Sequence, residues 1–151
     1  MGNHTYIFSE RLFHYNNDEK TKTFLEGTNI NPDELTGEPF TIQKLIGVLP
    51  TLGYDLEKEE IFEYAEREWH CAIHKNGELK VGLIVSKFVD FETEVDSLEV
   101  SRGSDDRSAI EIFHALTFSC GKFLYYLDAG IMAPIIGEKT IEHIHKTFTD
   151  R

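Results

Sequence analysis

Residues 67–85, REWHCAIHKNGELKVGLIV, limit what the chain can fold into more than any other stretch. Trp69, Cys71 and Ile73 recur at period two, the spacing of a strand with one apolar face. Lys75-Asn76-Gly77 follows, and Gly77 suits the left-handed position of a three-residue hairpin loop with a bulge. That loop sets Ile73 opposite Leu79, Cys71 opposite Val81 and Trp69 opposite Leu83, apolar against apolar on one face. A two-residue loop would set Ile73 against Lys80, so hydrophobic matching selects the longer loop.

The segments around this hairpin supply further strands and helices. TYIFS (residues 5–9) reads as an opening strand, and Asp18 can cap a short helix through Glu26, ended by Gly27. NPDELTGEP (residues 31–39) is turn chemistry. Thr41 then caps a helix whose stripe is Ile42, Leu45, Ile46 and Leu49, with Phe40 and Leu45 as a hydrophobic staple. Pro50 and Gly53 stop it. In EKEEIFEYAEREWH, the spacing of Ile61, Phe62, Tyr64 and Ala65 predicts a helical turn that passes into strand near Arg67. SDDRSAIEIFHALTFSCG carries the strongest helical pattern: Ser104 or Asp105 caps it, Ala109, Ile112, Phe113, Leu116 and Cys120 line one face, and Gly121 ends it. KFLYYLD reads as strand, AGIMAPIIG as loop, and EKTIEHIHKTF as a closing helix using Ile141, Ile144 and Phe148. Strands grouped in the middle with helices around them imply an α+β fold. The expectation is one globular domain over residues 1–151, with a mostly antiparallel sheet and helices packed on one side.

VDFETEVDSLEV (residues 89–100) holds a comb of carboxylates: Asp90, Glu92, Glu94 and Asp96. If extended, it points all four acids one way and Val89, Phe91, Thr93 and Val95 the other. The phase then flips, because Leu98 and Val100 share the parity of the acids. A turn or bulge near Asp96-Ser97 and a separate strand, SLEVSR, follow from that flip. The comb is therefore an edge strand or an exposed loop leading into the sheet. Inward or edge charges of this kind also guard sheets against edge-to-edge aggregation.

Net charge is −12, and its placement matters more than its size. Residues 55–68 hold seven acids and two bases, and residues 90–99 hold five acids and no base, so these segments account for −10. Such a field repels nucleic-acid phosphates and anionic membrane and attracts basic partners. Solubility alone also explains acidity in many proteins. No apolar run approaches the roughly 20 residues of a membrane span. The opening MGNHTYIFSE lacks the basic and apolar regions of a signal peptide, and Tyr6 stands where a myristoylation signal prefers Ser or Thr. The expectation is a cytoplasmic protein in which Cys71 and Cys120 are reduced core residues.

Catalytic constellations are sparse. His70 and His74 lie on the strand face opposite Trp69, roughly 13 Å apart, too far to share a metal. His143 and His145 diverge on a helix, and neither HExxH nor CxxC occurs. No GxSxG elbow or helix-opening Cys supplies a nucleophile. The acidic segments contain many carboxylates, but no particular pair is marked for acid–base work. No cofactor and no metal is expected. What remains is an acidic surface suited to binding.

Residues 98–130, LEVSRGSDDRSAIEIFHALTFSCGKFLYYLDAG, resemble a pattern seen in small bacterial immunity proteins. These neutralise toxins of polymorphic and contact-dependent growth inhibition systems. The shared features are a strand ending in Ser-Arg, a capped helix, a Gly, and a Tyr-rich strand ending in Asp-x-Gly. The resemblance implies a stoichiometric inhibitor of a basic toxin, often a nuclease, that covers the active site or an adjacent exosite. The residues expected to meet such a partner are Asp90, Glu92, Glu94, Asp96, Glu60, Glu63, Tyr64, Glu66 and Phe91, with Trp69 either an anchor or core. Docking would use the comb as a mimic of nucleic acid, or an exposed edge strand that takes on a toxin strand. The alternatives are a small hydrolase with an acidic cleft and an adaptor or subunit unrelated to toxins.

Overall fold

The computed structural model describes residues 11–14, 38, 40–63, 67–95, 97–101, 103–120, 123–126, 132–135 and 142. Among these residues seven strands form one sheet: β1 (Arg11–His14), β2 (Asp55–Glu63), β3 (Arg67–Lys75), β4 (Glu78–Ser86), β5 (Ser97–Val100), β6 (Phe123–Tyr126) and β7 (Met132–Ile135). Their order is β2-β3-β4-β5-β1-β6-β7, and every pairing is antiparallel. Among the described residues two helices, α1 (Ile42–Val48) and α2 (Asp106–Leu116), pack with the sheet in an α+β arrangement. The expected strand at residues 5–9, the helix over 18–26 and the closing helix of EKTIEHIHKTF lie outside the described residues, apart from the single residue Glu142.

The hairpin forms with a shorter loop than the sequence reading selects. Lys75 pairs with Glu78, so the loop is Asn76-Gly77. Both residues have positive φ, 55° and 78°, as a type I′ turn requires. The bulge moves into β4: Ile73 pairs with Val81 and His74 with Leu79, leaving Lys80 as the extra residue. Cys71 then faces Leu83 and Trp69 faces Val85. Apolar matching is kept, one pair out of step with the expected register. The Lys80 carbonyl accepts from Asp105 N at 2.6 Å, so the bulge also anchors the start of α2.

Two further expectations are corrected. Residues 61–65 were expected to begin in a helical turn, yet 55–63 form β2, paired with β3 along its whole length. A bulge between Leu56 and Lys58 puts Leu56 and Ile61 on one face, opposite Ile73 and Trp69. Tertiary pairing overrides the short helical spacing. AGIMAPIIG was expected to be loop, yet Met132–Ile135 forms β7. Pro134 is tolerated there because β7 ends the strand order.

Both helices form where their caps predict. Thr41 accepts from Lys44 N at 3.2 Å, and Phe40 and Leu45 are buried as the staple. Gly53 ends the following 3-10 turn in the left-handed conformation, φ 84°. Asp105 rather than Ser104 caps α2, accepting from Ser108 N at 3.0 Å and Ser108 Oγ at 2.6 Å. The apolar stripes of both helices share a core with Trp69, Cys71, Ile73, Val81, Leu83, Val85, Leu98 and Val100. Helices thus cover one side of the sheet.

Two stability predictions arise here. A side chain at Gly82 would meet Ser101 Oγ at 3.0 Å and Ser101 Cβ at 3.2 Å. Gly82→Val is expected to cost roughly 1–3 kcal/mol, read from the urea midpoint. Asp106 has one buried carboxylate oxygen without a partner. Burial and then the Asp105 charge push its pKa up from 3.8 to about 6. Between those values the folded chain holds a proton that the unfolded chain has released. This stabilisation is therefore full below about pH 4 and lost as pH rises through 6. Urea midpoints of Asp106→Asn should change less over this window than those of the wild type.

Candidate functional site

The acidic comb is a loop and not a strand. Asp90 sets its shape: the carboxylate accepts from Glu92 N, Thr93 N and Thr93 Oγ1, each at 2.8 Å. This local capture of backbone donors competes with extended pairing and turns the chain. Thr93 Oγ1 and the backbone N–H groups hold the Asp90 pKa below the ordinary value. Asp90 is therefore a standing negative charge, unsuited to giving up a proton at neutral pH.

Main-chain bonds fix the loop to the start of α1. Gln43 N donates to Phe91 O and Val95 N donates to Phe40 O, both at 2.9 Å, and Thr41 bridges to Glu94. Beneath it Trp69, Phe88 and Phe91 pack ring on ring, with centroids 5.2–6.3 Å apart. Trp69 is wholly buried and Phe91 half-buried, so Trp69 is core and Phe91 roots the loop. Asp90, Glu92 and Glu94 are exposed, as are Val89 and Thr93 from the side expected to be apolar. With Lys87, Asp90 and Glu94 wall a concavity of about 250 Å³.

The second acidic segment approaches the same end of the sheet. Glu63, the last residue of β2, pairs with Arg67, and Phe88 N donates to Arg67 O at 2.9 Å. The entrance to the loop and the end of β2 thus flank one residue of β3, two strand spacings or roughly 10 Å apart. Glu60 lies on the sheet face away from the helices, half-buried and 2.5 Å from Lys58. Tyr64, Glu66 and Asp96 lie outside the described residues.

Sequence reasoning missed Glu57 and Glu59. Both are exposed on β2, and Glu59 accepts from Trp69 Nε1 at 3.3 Å, on the face that carries the aromatic cluster. The signal was present in the acid run of residues 55–60 but was obscured by the helical reading beside it.

His70 and His74 are partly exposed on the face opposite Trp69. Among the described residues no three His, Cys, Asp or Glu side chains converge to hold a metal. Cys71 and Cys120 are free and buried, and burial pushes their thiols up to about 12 and about 11. Neither is a thiolate at neutral pH. No described helix is long and apolar enough to cross a membrane. Compared with known proteins, the chain matches no family model, no curated protein and no solved structure.

Proposed function

We propose that this protein is an immunity-type inhibitor: it binds and neutralises a basic toxin domain, a nuclease by preference, through its acidic surface. One observation carries the reading. Asp90, Glu92 and Glu94 stand exposed on a loop whose backbone is already bonded in place, at the sheet end where β2 terminates. A preformed loop loses little conformational freedom on binding, so its charge attraction is kept as affinity. A nuclease must present Lys and Arg to hold phosphates, and carboxylates in a fixed array satisfy the same cations. The inhibitor acts by covering the active site or a neighbouring exosite. Its place of action is the cytoplasm.

The test is affinity capture from a lysate of the source bacterium, with washes at low and high salt, followed by expression of the captured partner. A basic partner held stoichiometrically, lethal alone and harmless when co-expressed with this chain, is the expected result. A stoichiometric partner that is neither basic nor toxic would overturn it and make the chain a subunit or adaptor.

A further inference from the structure

We infer that the outer edge of β2 is a docking edge for an extended, lysine- or arginine-bearing strand of the partner protein, added to the sheet by main-chain hydrogen bonds. The inference rests on the inhibitor reading and assigns its contact a geometry. Because the comb is a loop, it cannot receive such a strand, and β2 can.

Among the described residues β2 stands at one end of the strand order, and Asp55, Glu57, Lys58, Glu59, Ile61 and Phe62 along it are exposed. An edge strand of nine residues carries a row of main-chain donors and acceptors, which proteins ordinarily blunt. Here the bulge after Leu56 bends only the first part, leaving residues 58–63 in unbroken register with β3. The charge pattern selects the occupant. Five acids against Lys58 make self-pairing of two copies unfavourable, since it sets carboxylate against carboxylate. A basic strand meets the opposite situation on both faces, opposing Glu59 on one and Glu60 on the other. Ile61 and Phe62, 39% and 44% exposed, offer one apolar contact on each face at the end nearest the loop. A strand laid along this edge would lie one strand spacing further from the 90–94 loop than β2 does, so its cations would meet Glu59 and Glu60 and not the loop acids.

The probe is a short peptide alternating lysine and valine, titrated into the full-length protein. Two controls accompany it: the same peptide with alternate backbone nitrogens methylated, and a glutamate–valine version. Hydrogen exchange of the β2 amides is the readout. The lysine peptide is expected to slow their exchange, and both controls should fail. Ile61→Lys, which leaves the buried side of β3 intact, should weaken that binding about tenfold by setting a like charge on the edge. Equal protection by the methylated peptide, protection confined to residues 90–94, or no binding by the lysine peptide would each overturn the strand-addition inference. None of these touches the inhibitor reading, which stands or falls on neutralisation of the captured toxin.

Discussion

Reversing Glu92 and Glu94 together to lysine is expected to slow association with the basic partner by about tenfold to a hundredfold at low salt. The difference should shrink as salt is raised, because the lost term is long-range attraction. Folding should be little changed: both side chains are exposed, and Glu94 holds Thr41 through a backbone bridge that the substitution keeps. Asp90 separates charge from scaffold. Asp90→Asn keeps a side-chain oxygen for Glu92 N and Thr93 N while removing the charge, so it should slow association without loosening the loop. Asp90→Ala removes both, and should also accelerate hydrogen exchange at Gln43 and Val95. Stopped-flow association across a salt series checks these expectations. Equal rates for wild type and the double reversal would show that the loop is not the contact.

Trp69→Ala should be the most damaging single change to stability, costing about 3–5 kcal/mol. Trp69 is the largest of the fully buried side chains, and it supports Phe88 and Phe91 while donating to Glu59. Since most domains are stable by only about 5–15 kcal/mol, this variant should accumulate poorly at 37 °C. Trp69→Phe refills most of the volume and loses the indole donor, so about 1–2 kcal/mol is expected. Urea midpoints measure both. The first variant should also release the loop, because Phe91 is its root.

Where a side chain meets a backbone group close in sequence, the reading from sequence agreed with the structure. The Thr41 cap, the Phe40–Leu45 staple and the Asp105 cap are three-to-five-residue devices, and each stands where its spacing placed it. The buried stripe Ala109, Ile112, Phe113 and Leu116 was equally legible, as was the strand after the phase flip at Ser97. Three features depend on information a period cannot carry. A bulge changes parity, so the hairpin with its extra residue at Lys80 matches apolar to apolar as well as the three-residue loop does. In β2 the bulge at Glu57 brings Leu56 and Ile61 onto one face, although five positions apart they belong to opposite faces of a regular strand. In the comb the alternation is genuine, but three hydrogen bonds to Asp90 outweigh it. The exposed acids of the site were therefore readable as a group, while the shape presenting them was not.

The two ends of the sheet have a joint consequence for how many molecules can meet. A second copy offered to β2 brings matching negative charge, and one offered to β7 encounters Pro134, which has no amide hydrogen to give. Stacking head to tail would need both edges at once. Growth into filaments is thus discouraged from either direction, while a cationic strand of another protein can still be admitted at β2. In polymer terms the described sheet terminates at both edges for its own copies instead of propagating. An inhibitor of the kind proposed above would need that property, since each copy would have to remain available for a single target even when made in excess.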